Sequence, residues 1–171
     1  MKKFFKYLGI LILLIVLVVG GIFMYNWRDR YPGYSIDINF TNESPQQVSA
    51  GFSKKPITPT IIDTWNDANN DNEYNEDDGD TYNDLNNNGK FDAFWIAGMS
   101  NAKPAQGVHD DVWSRAMVLD DGKHRIAMVS LDAIGFLHGD VIDIRNRVPV
   151  ELGLDYVLVS STHTHESNDL V

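Results

Sequence analysis

Hydrophobic and polar positions divide the chain into three regimes. From Leu8 to Tyr25 every residue is apolar, aromatic or glycine, and a helix rising ~1.5 Å per residue over that stretch matches the ~30 Å hydrocarbon core of a bilayer. From Asp63 to Asp92 the balance reverses, with Asp, Asn and Glu dominating and Lys90 the only cation. The rest has the patterning of a folded unit. Tyr34, Ile36, Ile38 and Phe40 alternate with polar neighbours, which predicts a half-buried strand. Asn42–Gln47 predicts a turn and Val48–Phe52 a second strand. Pro56-Ile57-Thr58-Pro59 follows as extended chain, because each proline fixes its own φ and disfavours helix in its predecessor.

Beyond the acidic stretch the signals are stronger. Val112–Leu119 and Arg125–Leu131 are rich in β-formers and are joined by Asp120-Asp121-Gly122-Lys123, which predicts a hairpin. Val141, Ile142, Ile144, Val148 and Leu152 fall at helical spacing within Gly139–Leu152. Pro149 should end that helix near Arg147, and Gly153 should close it. Tyr156–Ser161 is apolar enough to predict an interior strand buried on both faces. Strand, helix and strand in this order make a βαβ unit with parallel strands and a right-handed crossover. The expected fold class is α/β: an N-terminal transmembrane helix, then a partial mixed sheet with a βαβ unit and an inserted calcium-loop region.

Charge and cysteine content add direction. The 171 residues carry a formal net charge of −10, and no cluster of Lys and Arg offers phosphate contacts, so nucleic acid is excluded as the expected partner. Lys2, Lys3 and Lys6 before the apolar run outweigh Arg28 and Arg30 after it, which favours an N-terminus inside and everything after Asn26 exported. A cleaved signal peptide is the alternative, with Gly20-Gly21 as the small-residue site. The expected layout is a cytoplasmic basic segment at 1–7, a signal anchor at 8–25, a linker at 26–34 and a globular part at 35–171. With no cysteine in the chain, disulfide staples are excluded, and bound metal is a natural substitute.

The acidic stretch fits such a role. Asp67, Asn69, Asp71, Asn75 and Asp78 occupy positions 1, 3, 5, 9 and 12 of a calcium loop. Glu73 offers its carbonyl at position 7, and Asn72 stands where the turn glycine usually is. Asp84, Asn86, Asn88, Gly89 and Asp92 repeat positions 1, 3, 5, 6 and 9, with the last ligand expected from Asp77, Asp78 or Asp80. A solvated acidic loop that binds nothing is the alternative.

The candidate for catalysis is His163-Thr164-His165, directly after the last strand. Sites in open α/β sheets form outside the carboxyl ends of the strands. In extended chain the two imidazoles would project to one side with Thr164 pointing away. Asp132, at the end of the preceding parallel strand, would orient a histidine or ligate directly. Imidazole and carboxylate donors suit zinc. His124 reads as an exposed turn residue, and His109 and His138 as structural residues or rim of the site.

Ser160-Ser161-Thr162-His163-Thr164-His165 resembles the Thr-His-Thr-His signature of neutral, non-lysosomal ceramidases. Three further segments resemble that family's N-terminal region in the same order. They are Ala50–Pro59, Gly107-Val108-His109-Asp110 with Trp113-Ser114-Arg115-Ala116, and Val129-Ser130-Leu131-Asp132. The resemblance implies an exported zinc-dependent amidohydrolase cleaving a lipid-like amide such as N-acylsphingosine. It also implies that His163 is a zinc ligand, that His165 sits beside the reacting group, and that another His, a Glu and a Tyr complete the site beyond Val171. The segment Glu166-Ser167-Asn168-Asp169 departs from the glycine-rich continuation of the family signature, which leaves another amide or ester as the alternative substrate. A calcium-stabilised surface module without enzymatic activity is the alternative of a different class.

Overall fold

The computed structural model of the chain describes residues 2–44, 47–98 and 102–168. The apolar run forms one helix, α1 (Lys2–Trp27), long and apolar enough to cross a membrane over Lys3–Trp27. It extends beyond the predicted span at both ends, as Phe4, Phe5 and Trp27 continue the apolar surface. Met1–Ile38 form one compact unit and Asn39–Val171 a second.

The second unit is built on a four-stranded sheet in the order β1-β4-β5-β6. These strands are β1 (Ser49–Pro56), β4 (Trp113–Asp120), β5 (Arg125–Leu131) and β6 (Tyr156–Ser161). β4 and β5 form the expected antiparallel hairpin, with Asp120 opposite Arg125. β6 runs parallel to β5, as the βαβ pattern requires. The crossover contains α2 (His138–Asn146), which ends at Arg147, just before Pro149. Gly153, at φ 59°, closes a short 3₁₀ turn, Val150–Leu152.

The register places Gly51, Val118, Ala127 and Val157 in one cross-sheet row and Phe52, Met117, Met128 and Leu158 in the next, on the opposite face. Ala127, Val157 and Ile142 of α2 are all buried, whereas Leu158 and Phe52 are exposed. The helix therefore covers the Val157 face. The other face stays open.

Two predicted strands differ from expectation. Tyr34–Phe40 is extended coil, with Ile36 and Ile38 exposed. Among the described residues no strand pairs with it; Tyr34 N–H donates to the Tyr31 carbonyl at its start, and at its end Phe40 lies 5.1 Å from His124, Lys123 Nζ donates to the Thr41 carbonyl and Asn42 Nδ2 donates to Asp121. Alternation alone does not make a strand without a partner. The second correction concerns β6, predicted to be interior. Among the described residues it is an edge strand with one buried residue, Val157. Part of its outer edge is covered by Arg145, whose Nε donates to the Val157 carbonyl at 2.8 Å. β1 is longer than predicted and absorbs Ser53–Pro56. The turn at Asn42–Gln47 begins with Asn42 Oδ1 accepting from Ser44 N–H; residues 45 and 46 lie outside the described residues.

The acidic insert has an order of its own. β2 (Thr64–Asn66) and β3 (Thr81–Asn83) pair antiparallel with Trp65 opposite Tyr82. Residues 63–75 and 80–92 are two copies of one pattern, sharing Asp-Thr-x-Asn-Asp-x-Asn-Asn, and the pairing relates them by a local two-fold axis. Asn70 and Asn87 occupy one left-handed position of the pattern, Asn72 and Gly89 the other, positions that Asn and Gly tolerate best. Between the copies Tyr74 contacts Phe91 at 4.6 Å, flanked by Trp65 on one side and Tyr82 on the other.

Candidate functional site

His163 follows β6 by two residues, at φ 60°. The chain is therefore not extended there, as the expected projection of the histidines assumed. The left-handed residue nevertheless brings the two imidazoles together, with ring centroids of His163 and His165 5.0 Å apart and planes at 88°. His163 Nδ1 lies 2.7 Å from the Ile134 carbonyl oxygen. A carbonyl only accepts, so Nδ1 carries the proton and donates it to Ile134. This carbonyl-to-histidine pairing is the one that commonly orients metal-ligating imidazoles. Both histidines are exposed.

Asp132 does not join them. Its Oδ1 accepts from Arg115 Nη1 at 2.7 Å and its Oδ2 from Trp113 N–H at 2.9 Å, and the Arg115 guanidinium holds its carboxyl below the usual carboxylate range. It shares a cavity of about 560 Å³ with Thr164, Thr58, Phe94 and Ile96, a cavity that the two histidines do not line. The convergence of Asp132 with both imidazoles is thus replaced by two adjoining features: a histidine pair on one side of the loop, and a cavity holding Thr164 and Asp132 on the other. Thr164 points away from the histidines as expected, and away means into the cavity.

The remaining histidines are placed separately. His109 lines the same cavity, its Nδ1 2.8 Å from Asp110, and His138 opens α2. His124 corrects the expectation of an exposed turn residue. Its side chain is 21% exposed, and neither ring nitrogen makes a hydrogen bond among the described residues, although Nδ1 lies 3.5 Å from Asp155 Oδ2.

In the insert, the residues at loop positions 1, 3 and 5 bind backbone within their own loops. Asp67 accepts from the N–H groups of Asn70, Asp71 and Asn72, Asn69 from Asp71, and Asp71 from Glu73. Asp84 accepts from Asn88 and Gly89, Asn86 from Asn88, and Asn88 from Lys90. Asp92 Oδ2 accepts from the side-chain amides of Asn86 and Asn88. Asn75 Nδ2 donates to Asp78.

Two buried carboxylates organise this arrangement: Asp63, absent from the sequence expectation, and Asp80, expected only as a candidate last ligand of the second loop. Asp80 accepts from Ala68 N–H and Asn75 N–H of the first loop, and Asp63 accepts from Leu85 N–H and Asp92 N–H of the second. Each copy supplies the aspartate that closes the other. Asp80 is thereby committed to the first loop rather than offered to the second as a final ligand. The signal that reveals both residues is the self-similarity of 63–75 and 80–92, in which Asp63 and Asp80 coincide.

Among the described residues no three His, Asp or Glu side chains form a group able to hold a metal ion. His163 and His165 together offer two imidazoles, one fewer than the three protein ligands of a catalytic zinc.

A loop strip joins the insert to the histidines. Phe94–Ala97 pairs with Lys103–Ala105 on one side, through Ile96 N–H to the Lys103 carbonyl and Ala105 N–H to the Phe94 carbonyl. On the other side Ile96 bridges Asn168, and Ala97 N–H donates to the Ser167 carbonyl at 2.8 Å. Comparison with protein-family models, curated proteins and solved structures finds no match to this chain.

Proposed function

We propose that this chain is the anchored N-terminal part of an exported zinc-dependent amidohydrolase of the neutral ceramidase type. The observation that carries the reading is the loop after β6, where His163 has its Nδ1 proton fixed on a carbonyl and a second imidazole beside it. His163 would hold the metal. Zinc, when bound, supplies a Lewis acid that polarises an amide carbonyl and lowers the pKa of water towards ~7. His165, exposed and next to His163, would hydrogen-bond the carbonyl oxygen or pass a proton to the departing amine. The cavity with Thr164, Asp132 and Phe94 is the adjoining space for a lipid-like amide. The reading requires further ligands, which the family resemblance puts beyond Val171. Orientation with the globular part outside belongs to the same proposal, resting on the lysines that precede α1.

Zinc analysis and a fluorescent-ceramide assay on the full-length protein test it. Zinc near one equivalent, lost together with activity in His163→Ala, is the expected result. An active His163→Ala variant sinks the proposal. A panel of other amides and esters separates ceramide from the alternative substrates.

A second reading is favoured by the insert, where two copies of a calcium-loop pattern adopt matching backbones with left-handed residues at the same positions. In this reading the residues Asp67, Asn69, Asp71, Asn75 and Asp78, and Asp84, Asn86, Asn88 and Asp92, hold structural calcium, and the chain is a calcium-stabilised surface module. Half-saturation at ~10⁻⁴–10⁻³ M is expected for an extracellular module. A melting temperature that rises over that calcium range, with no zinc uptake and no effect of His163→Ala, would favour this reading over the first.

A further inference from the structure

We infer that the duplicated insert is a splint for the histidine loop, and that Asp63, Asp80 and Trp95 are positioning residues for His165. The functional value of the inference rests on the hydrolase reading, whereas its geometry does not.

The path is continuous. At its far end the insert is locked from within, since Asp63 and Asp80, nearly or fully buried, each accept two backbone N–H groups from the opposite copy. Each of these bonds goes to a charged acceptor, and a buried carboxylate left without them is costly, so neither loop loosens without cost to the other. From this body three contacts reach the strip: Trp65 Nε1 donates to the Pro104 carbonyl at 3.0 Å, Tyr74 N–H donates to the Ala102 carbonyl at 2.6 Å, and the Phe91 ring meets Trp95 edge-on at 6.2 Å. Trp95 bridges Pro104, and its neighbours Ile96 and Ala97 bind Asn168 and Ser167. This last junction is dry, with Ala97 and Ser167 both buried. Lys103 and Glu166 add an ion pair at 3.4 Å.

The histidine loop is therefore held at two places. His163 is fixed on the core side through Ile134, and Ser167–Asn168 are fixed on the insert side. His165 lies between these attachments and depends on both. Only the first attachment belongs to the βαβ unit; the second exists because the insert does.

The test uses the full chain in detergent micelles, with His165 imidazole resonances and backbone amide exchange followed by NMR. Asp63→Asn removes one of the two acceptors that close the second loop. It is expected to speed exchange at Leu85, Asp92 and Ala97 by about tenfold or more and to shift or broaden the His165 imidazole signals, while amides of β4 and β5 keep their protection. Trp95→Ala is the second variant, chosen because Trp95 is partly exposed. It should perturb His165 while leaving the amides of Ala68 and Asn75 protected. Unchanged His165 signals in Trp95→Ala, or in a folded Asp63→Asn whose second loop has loosened, overturn the inference. Zinc uptake does not enter either readout, so failure of the splint and failure of the hydrolase reading are told apart.

Discussion

At the scale of single residues, the groups that matter most here are those whose partners come from elsewhere in the chain. Asp121 is an instructive case, because it combines neighbours in its own turn with Asn42 from 79 positions earlier. Backbone N–H donation from His124, the Asn42 side chain and Lys123 N–H together lower its pKa to about 2. A carboxylate depressed in the folded state stabilises above its unfolded pKa of ~3.9 and loses that contribution as pH falls towards the folded value. The stability gap between the wild type and Asp121→Asn should therefore be constant above about pH 4 and close as the pH is lowered from there to about 2, as followed by denaturant titration across pH. His124 makes the opposite point. Among the described residues neither nitrogen makes a hydrogen bond, Nδ1 reaching only to 3.5 Å from Asp155, and its ring lies against Phe40, so His124→Phe should stabilise the chain at neutral pH by ~1 kcal/mol through relief of desolvation. A lower melting temperature would count against this. Neither property of His124 can be read from a turn sequence, since its burial depends on Phe40, far back in the chain.

At the scale of elements, what the amino-acid pattern revealed was local. The hairpin of β4 and β5 and the crossover through α2 connect neighbours in sequence, and turn residues and Pro149 mark their limits. The solitary alternation at Tyr34–Phe40 misled because a strand needs a partner that periodicity does not supply. The apolar run of β6 suggested burial on both faces, yet Leu158 is exposed while Val157 beside it is buried. The difference between the two faces should be measurable. Ile142→Ala under the covered face should cost ~2–4 kcal/mol, whereas Leu158→Ala on the open face should cost less than ~1 kcal/mol, both by equilibrium unfolding. In the candidate site, position after a strand located the histidines correctly. Their separation from Asp132 was not legible, because it follows from Arg115 and Trp113 on β4 drawing the carboxylate to their side. The reciprocal aspartates were hidden for another reason. A calcium-loop template begins at Asp67 and at Asp84, and so starts four residues after each of them.

For the whole molecule, the division into Met1–Ile38 and Asn39–Val171 separates the unit with the apolar helix from the unit built on the four-stranded sheet. The full chain should stay in the membrane pellet after alkaline carbonate extraction. Arginine at both Ile15 and Val18, costing ~2.5–3.5 kcal/mol each at a helix centre, should release it to the supernatant. N-terminal sequencing of the membrane-bound protein distinguishes an anchor, which keeps Lys2 and Lys3, from a signal sequence cut near Gly20-Gly21. The insert carries one more consequence. Since every position in 63–75 has a twin in 80–92, with paired strands and two left-handed residues at matching places, the molecule contains its own replicate. A change made first in one copy and then in the other separates what a residue type does from what its surroundings do. The pairs that have already diverged in charge, Asp71 with Asn88, Glu73 with Lys90 and Asn75 with Asp92, are an experiment of that design written into the chain.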